Sequence, residues 1–400
     1  MKWEIQTRLE LLRHGIVPEG YKITKAGIAP EDWAEMNLGE IYTERKEPGN
    51  DSLPLLMVSI HSGVSDGEVD EEDLPKKVKR IEDKSQYKRA ATGDLVFNMM
   101  RAWQGAIGTV RTEGMVSPAY IVAQPNDMVD PLFMDYYMRT NRMVQTIHRQ
   151  SYGVTDFRLR LYWDSFAPIQ CTLPSLSEQQ KIAKILTSQD KVIELKEKRL
   201  AEKQRQKKYL MQQLLTGKKR VSGHNDEWKQ VSLSNVCSYK ASSITASSLE
   251  NYSGDEIYPI YDARSILRYV DFCESKKPYV SIVKDGAGAG RAALAPPNSS
   301  VIGTMGYIYQ TDQILLEYLY YCLVNIDFSK YSNGSTIPHV YFKDYGCEKI
   351  SLPSINEQQC IVSVLSTADK QIDLLLQDLA LEKQKKKSLM QLLLPGIVRA

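Results

Sequence analysis

No two of the six cysteines, Cys171, Cys237, Cys273, Cys322, Cys347 and Cys360, sit two to four residues apart. That excludes a zinc knuckle and a Cys-x-x-Cys redox motif, and it predicts reduced, buried thiols. The five histidines, His14, His61, His148, His224 and His339, are equally scattered, so spacing supports no metal cage and no Ser-His-Asp set. Excess charge is lacking too: 51 Lys and Arg stand against 49 Asp and Glu, a net +2. Affinity for a polyanion therefore has to come from local patches. The most apolar stretch, Ile314 to Phe328, is broken by Glu317 and Asn325 and is too short to span a bilayer. Met1-Lys2-Trp3-Glu4 lacks the cationic start and apolar core of a secretory signal. A soluble, cytoplasmic protein is expected. What is present, 42% hydrophobic and 25% charged residues with 23 Gly and 17 Pro, excludes disorder and collagen-like fibre. At roughly 150 residues per domain, 400 residues make two or three domains.

The chain repeats itself. Leu173-Pro-Ser-Leu-Ser-Glu-Gln-Gln180 returns as Leu352-Pro-Ser-Ile-Asn-Glu-Gln-Gln359, a shift of 179 that holds without a gap to Gly217 and Gly396. About half of these aligned positions are identical. Looser landmarks precede each copy. Trp33 with Leu38 matches Trp228 with Leu233, Asp130 to Tyr136 matches Asp312 to Tyr318, and Ser151-Tyr-Gly-Val-Thr155 matches Ser332-Asn-Gly-Ser-Thr336. The chain reads as variable block, helical block, variable block, helical block. The expected boundaries are 1–172, 173–217, 218–351 and 352–400.

The helical blocks open on capping-box patterns, Ser177-x-x-Gln180 and Asn356-x-x-Gln359. A 3.5-residue spacing then picks out Ile182, Leu186, Ile193, Leu200, Leu210 and Leu214 in the first block. In the second it selects Ile361, Leu365, Ile372, Leu375, Leu379, Leu389 and Leu393. Polar members fill the seam between them: Gln189, Lys196, Lys203 and Lys207, then Glu382 and Lys386. Such a seam over several heptads predicts coiled coil, and Gly217 and Gly396 are the expected stops. Two related helices most simply bury their seams against each other, antiparallel if a pseudo-two-fold relates the halves. From Asp190 to Leu215 the rod is roughly 39 Å long at 1.5 Å per residue. The adjacent triplets Leu374 to Leu376 and Leu392 to Leu394 exceed one seam and imply a second apolar face for a helix from another chain.

Each variable block mixes short β-branched and aromatic runs with turn signals and one helix, an α+β pattern. In the first, Gly93 to Asn98 and Ile107 to Val110 read as strands around Arg101-Ala-Trp103-Gln104-Gly105. Arg, Trp and Gln together offer guanine reading, base stacking and adenine reading. In the second, Lys284-Asp-Gly-Ala-Gly-Ala-Gly-Arg291 is a glycine-rich loop without the Lys-Ser/Thr of a nucleotide P-loop, better suited to close backbone approach. The matched Ser-x-Gly-x-Thr loops offer hydroxyls and N–H groups to phosphate or base edges. The half-site-one readers are Arg101, Trp103, Gln104, Arg111, Tyr152, Thr155, Arg158 and Arg160. Those for half-site two are Arg264, Lys284, Arg291, Asn333, Ser335, Thr336 and His339. The acidic stretch Asp66 to Asp73 reads as a solvated loop. Ala295-Pro-Pro-Asn298 resembles an amino-methyltransferase signature but lacks its leading Asn/Asp and trailing aromatic. No affirmative sign of catalysis emerges.

Trp-x4-Leu opening each half, with Leu-Pro-Ser-[Leu/Ile]-[Ser/Asn]-Glu-Gln-Gln and a long Lys-rich helix closing each, resembles the specificity subunit of type I restriction–modification systems over nearly the whole chain. The resemblance implies two target-recognition domains separated by two long antiparallel helices in a circular, pseudo-two-fold arrangement. Together they would read a bipartite, asymmetric DNA site. It implies a non-catalytic chain that binds two modification subunits, which use S-adenosylmethionine to methylate adenine N6. Up to two restriction subunits join them, hydrolysing ATP, with magnesium as a further cofactor. No cofactor or metal is expected in this chain itself. Thr7 to Gly15 looks like a remnant of a helical-block terminus, which suggests that the N-terminus packs near Leu393 and Gly396. The competing readings are a self-contained DNA-modifying enzyme and a coiled-coil adaptor without base-specific reading.

Overall fold

The computed structural model describes residues 2–60, 63–65, 83–153, 155, 158–250, 252, 254–334 and 337–400. The chain divides into two compact units, residues 1–195 with 380–400 and residues 196–379. The acidic stretch Asp66 to Asp73 lies outside the described residues.

Both units follow one plan. In the first, a four-stranded antiparallel sheet runs in the order Tyr42–Arg45, Tyr120–Pro125, Leu95–Asn98, Ile107–Thr109. The second has Cys237–Ala241, Met305–Gln310, Tyr279–Val283, Ala292–Ala295 in the same order and sense. A two-stranded clasp joins the start and end of each block: Ala34–Asn37 pairs Gln170–Leu173, and Lys229–Ser232 pairs Lys349–Leu352. The second unit adds a three-stranded sheet, Ile266–Val270, Tyr258–Tyr261, Ser300–Val301. One short helix packs on each four-stranded sheet, Pro131–Met138 in the first unit and Leu316–Val324 in the second. The apolar stretch around Ile314 is thus a core helix, with Leu319 and Leu323 fully buried.

The long helices span Leu176–Leu214 and Ile355–Leu393. Their caps differ from the expected ones. Gln179 N–H donates to the Ser175 carbonyl and Gln358 N–H to the Ser354 carbonyl, both at 2.9 Å. Each helix therefore opens one or two residues before Ser177 or Asn356. In the first helix the Ser175 hydroxyl accepts from Glu178 N–H at 3.4 Å, and the glutamates of the first turns are held by arginines, Glu178 by Arg399 and Glu357 by Arg220, each at 2.7 Å. The stops hold: Gly217 and Gly396 adopt φ of +71° and +72°, the left-handed region where glycine carries no steric penalty.

Every position of the predicted seam is buried or half-buried. In the first unit Ile182, Leu186 and Leu393 join the main core; in the second Leu214, Ile361 and Leu365 do. Each such fully buried side chain is worth about 1.5–3 kcal/mol. Polar pairs join the two helices in both units, and in the second the numbers fall on one helix as they rise on the other, so the helices run antiparallel there. In the first, Gln189 donates to Glu382 at 2.7 Å and Lys386 pairs with Asp190; in the second, Lys196 meets Asp378 at 2.7 Å and Lys207 pairs with Asp369. Two of the polar seam members, Lys196 and Lys207, are thus spent on helix pairing.

The expectation of two surplus leucine triplets needs correcting. Leu393 and Leu394 are buried in the first unit's own core, because the chain turns back at Gly396. Only Leu374 and Leu376 remain exposed. The N-terminal helix Lys2–Arg13 does approach the chain's end, where Arg8 donates to the Ile397 carbonyl and the Tyr21 hydroxyl donates to the Gly396 carbonyl at 2.6 Å.

Candidate DNA interface

Two buried glutamines register the blocks against the helices. Gln179 accepts from Asp130 N–H at 2.9 Å and donates to the Met128 and Pro174 carbonyls. Gln358 accepts from Leu315 N–H at 2.8 Å and donates to the Gln313 and Pro353 carbonyls. Asp130 is thus equivalent to Leu315, not to Asp312. Tyr136 and Tyr321 confirm that register, donating to Asp190 and Asp369 at 2.6 and 2.7 Å. Burial, then the neighbouring carboxylate, pushes both phenols up. The sequence match was three residues out because repeated aromatics in Leu315 to Tyr321 permit more than one alignment.

On this frame the first predicted cluster assembles at one end of the sheet. Arg101 precedes a tight turn, Ala102–Gln104, closed by Gly105 at φ +100°. Leu161 N–H donates to the Met99 carbonyl at 2.9 Å, and Tyr152 and Arg160 exchange two backbone bonds of 3.0 Å. These bonds carry Tyr152, Thr155, Arg158 and Arg160 to the Arg101 turn. Arg101, Gln104, Tyr152, Thr155, Arg158 and Arg160 are all exposed. Among the described residues no carboxylate pairs with Arg101, Arg158 or Arg160. Their charges remain available to a phosphate or a guanine edge.

Two members depart from the expected arrangement. Trp103 is half-buried, donating its indole N–H to the Met100 carbonyl at 2.9 Å and packing on His148 with ring centroids 5.5 Å apart. The ring face toward His148 is closed. Arg111 lies beyond Thr109 at the opposite end of that strand, 3.8 Å from Asp135, a buried carboxylate already held by Arg139 at 2.6 Å.

The second cluster uses the same positions with unrelated residues. The glycine-rich loop follows Tyr279–Val283, as the Arg101 turn follows Leu95–Asn98. Val340 N–H donates to the Lys284 carbonyl at 2.9 Å, Gly286 N–H to Pro338, and Asn333 and His339 exchange two 2.8 Å bonds. Arg291 reaches the Ala263 carbonyl at 3.1 Å, bringing in the turn that carries exposed Arg264. His339 Nδ1 lies 2.8 Å from the Asp285 carboxylate. An ionised carboxylate only accepts, which assigns the proton to Nδ1. Lys284 stands 3.8 Å from the same Asp285. Ser335 and Thr336 lie outside the described residues.

The glycines of the paired loops are sterically required. A Cβ on Gly153 would lie 2.3 Å from the Arg158 carbonyl oxygen, and one on Gly334 would lie 2.4 Å from that of Ile337. Two aromatics were not singled out as site residues although they recur at the 179 shift. The Tyr162 ring lies 5.3 Å from that of Tyr152, and Tyr341 stacks at 6.3 Å and 11° on His339 beneath Lys343. No described helix is long and apolar enough to cross a membrane.

A model of the family described as type I restriction modification DNA specificity domain matches residues 72–204 and 225–383. The chain is 22% identical over 448 residues to the type I restriction enzyme MjaVIII specificity subunit of Methanocaldococcus jannaschii, covering 95% of this chain and 96% of that one. Its fold is similar to that of a type I restriction–modification system S subunit from M. genitalium, with a TM-score of 0.59 and 12% identity over 90% of this chain and 96% of that one. A second solved chain is described with the structural basis of complex assembly and conformational transition of the type I R-M system. It superimposes with a TM-score of 0.55 and 18% identity over 92% of this chain and 99% of that one.

Proposed function

The chain belongs to the type I restriction modification DNA specificity family, and from that premise we propose that it is the sequence-reading, non-catalytic subunit of such a system. Its first cluster reads one half of a bipartite, asymmetric DNA site and its second cluster reads the other. The observation that supports this most is the reuse of one backbone device, Leu161 to Met99 and Val340 to Lys284, to present two unlike sets of side chains. Direct readout requires that economy: a constant frame fixes depth and orientation, and exchangeable side chains on it choose the base.

Methylation and cleavage belong to partner chains in this reading: two modification subunits using S-adenosylmethionine, and up to two restriction subunits using ATP and magnesium, all in the cytoplasm. The test is methylation mapping of DNA from cells carrying this chain with its modification partner. Two fixed short motifs separated by a constant unread spacer are expected. Methylation by the purified chain alone, or a single undivided motif, overturns the reading.

A further inference from the structure

Away from the reading cluster, the first unit holds an open cleft of about 500 Å³ between its α+β block and the last turns of the second long helix. Its floor is apolar, formed by Met143, Met390 and Leu394, and its rim carries Arg139, Arg142 and Lys387. Arg139 is committed to Asp135, whereas Arg142 and Lys387 have no carboxylate partner among the described residues. The Arg142 guanidinium lies directly on Gly27, where a Cβ would stand 2.2 Å from it. The helix Asn141–Gln150 starts at this same cleft, with Thr140 as its cap and Asn141, Arg142 and Met143 in its first turn. Its unpaired N–H groups add a further attraction for anions.

The second unit supplies an internal comparison. Counting on from the Tyr136–Tyr321 equivalence, Arg139 and Arg142 correspond to Val324 and Asp327, while Lys387 corresponds by the helix repeat to another lysine, Lys208. A short turn, Phe328–Tyr331, stands in place of the ten-residue helix. The shared scaffold therefore folds with an aspartate where the first unit has Arg142, so that cation is not demanded by the fold. A volume of this size suits a small molecule, and a basic rim over a methionine-rich floor suits a phosphate beside a flat apolar ring. We propose that this cleft binds a small phosphate ester with an aromatic body, of the nucleoside triphosphate class.

The test is calorimetric titration of the full chain with ATP, with inorganic tripolyphosphate and with a short DNA duplex as competitor. Saturable ATP binding at one site is expected, with tripolyphosphate at least tenfold weaker because it leaves the floor uncovered. Arg142→Asp, which installs the residue the second unit carries there, combined with Lys387→Gln, lowers ATP affinity tenfold or more. Melting temperature and sequence-specific DNA binding stay unchanged. Lys387→Glu alone, at an exposed position, shifts affinity the same way and guards against a folding defect in the double variant. No saturable ATP binding, or equal affinity in the variants, overturns the proposal. So does tripolyphosphate binding as tightly as ATP and being displaced by duplex, which would make the cleft a contact for DNA backbone phosphate. Failure of DNA reading in the unaltered chain would instead sink the function proposed above and leave the ATP result readable.

Discussion

The backbone N–H of Leu161 donates to the carbonyl oxygen of Met99 at 2.9 Å, and through that bond the loop carrying Tyr152 and Arg158 is fastened beside the turn carrying Arg101. Residues some fifty positions apart become one surface. Side chains held this way are rigid in position yet free in identity.

Replacing Arg101 by Ala is expected to cost about 1–3 kcal/mol at a single base pair and to relax one half of the recognised sequence only. Arg291→Ala does the same in the other half. Competition binding against single-base variants of the site reads the difference. Equal weakening on every sequence would demote either residue to a phosphate contact.

Gly153→Ala forces the Arg158 carbonyl away from its place and is expected to weaken binding to half-site one at least tenfold. Because the loop is exposed and no core contact changes, the loss of folding stability stays near 1 kcal/mol. Gly334→Ala, where φ is +95°, repeats this in half-site two. Comparing binding with urea unfolding separates the two effects, and parallel losses in both would refute a local role.

Burial pushes the Glu357 carboxyl up, but hydrogen bonds from Arg220 and Trp228 outweigh it and hold the group below its usual value. A carboxylate depressed in the folded state stabilises above its unfolded value, about 4.3, and that contribution fades as pH falls through the lower folded value. Arg220→Ala is expected to destabilise the protein by about 1–3 kcal/mol at pH 7. The gap to the unaltered chain narrows below about pH 4. A gap that stays constant from pH 7 to pH 3 in thermal melts contradicts this.

Gln179→Leu leaves Asp130 N–H and two carbonyls without their partner. With that side chain buried, a loss of about 2–4 kcal/mol is expected, and Gln358→Leu matches it. Denaturant midpoints measure both. Loss under about 0.5 kcal/mol would mean the glutamines do not set the register.

Periodicity made the helices legible. The 3.5-residue seam falls on buried or half-buried positions throughout, since helical spacing alone decides which side chains share a face. Among the segments proposed as readers, only Ser151 to Thr155 and Ser332 to Thr336 carry a repeat signal. Trp103 reads as a base-stacking ring from its neighbours in sequence, and only the structure shows its indole N–H donating to the Met100 carbonyl and its ring meeting His148. Arg111 was grouped with Arg101 by proximity in sequence, but an intervening strand carries it to the other end of the sheet. Clefts such as that beside Arg142 leave no local signature, because their walls come from segments about 240 residues apart.

By itself the amino-acid order determined the duplication, the two amphipathic helices and their glycine stops, since each depends on spacing within one segment. Only the tertiary structure decided which distant loops meet, that Asp130 answers to Leu315, and which cations stay unpaired. Those outcomes follow from strand register and from the three hydrogen bonds of each buried glutamine, which are made between segments and leave no periodic trace along the chain.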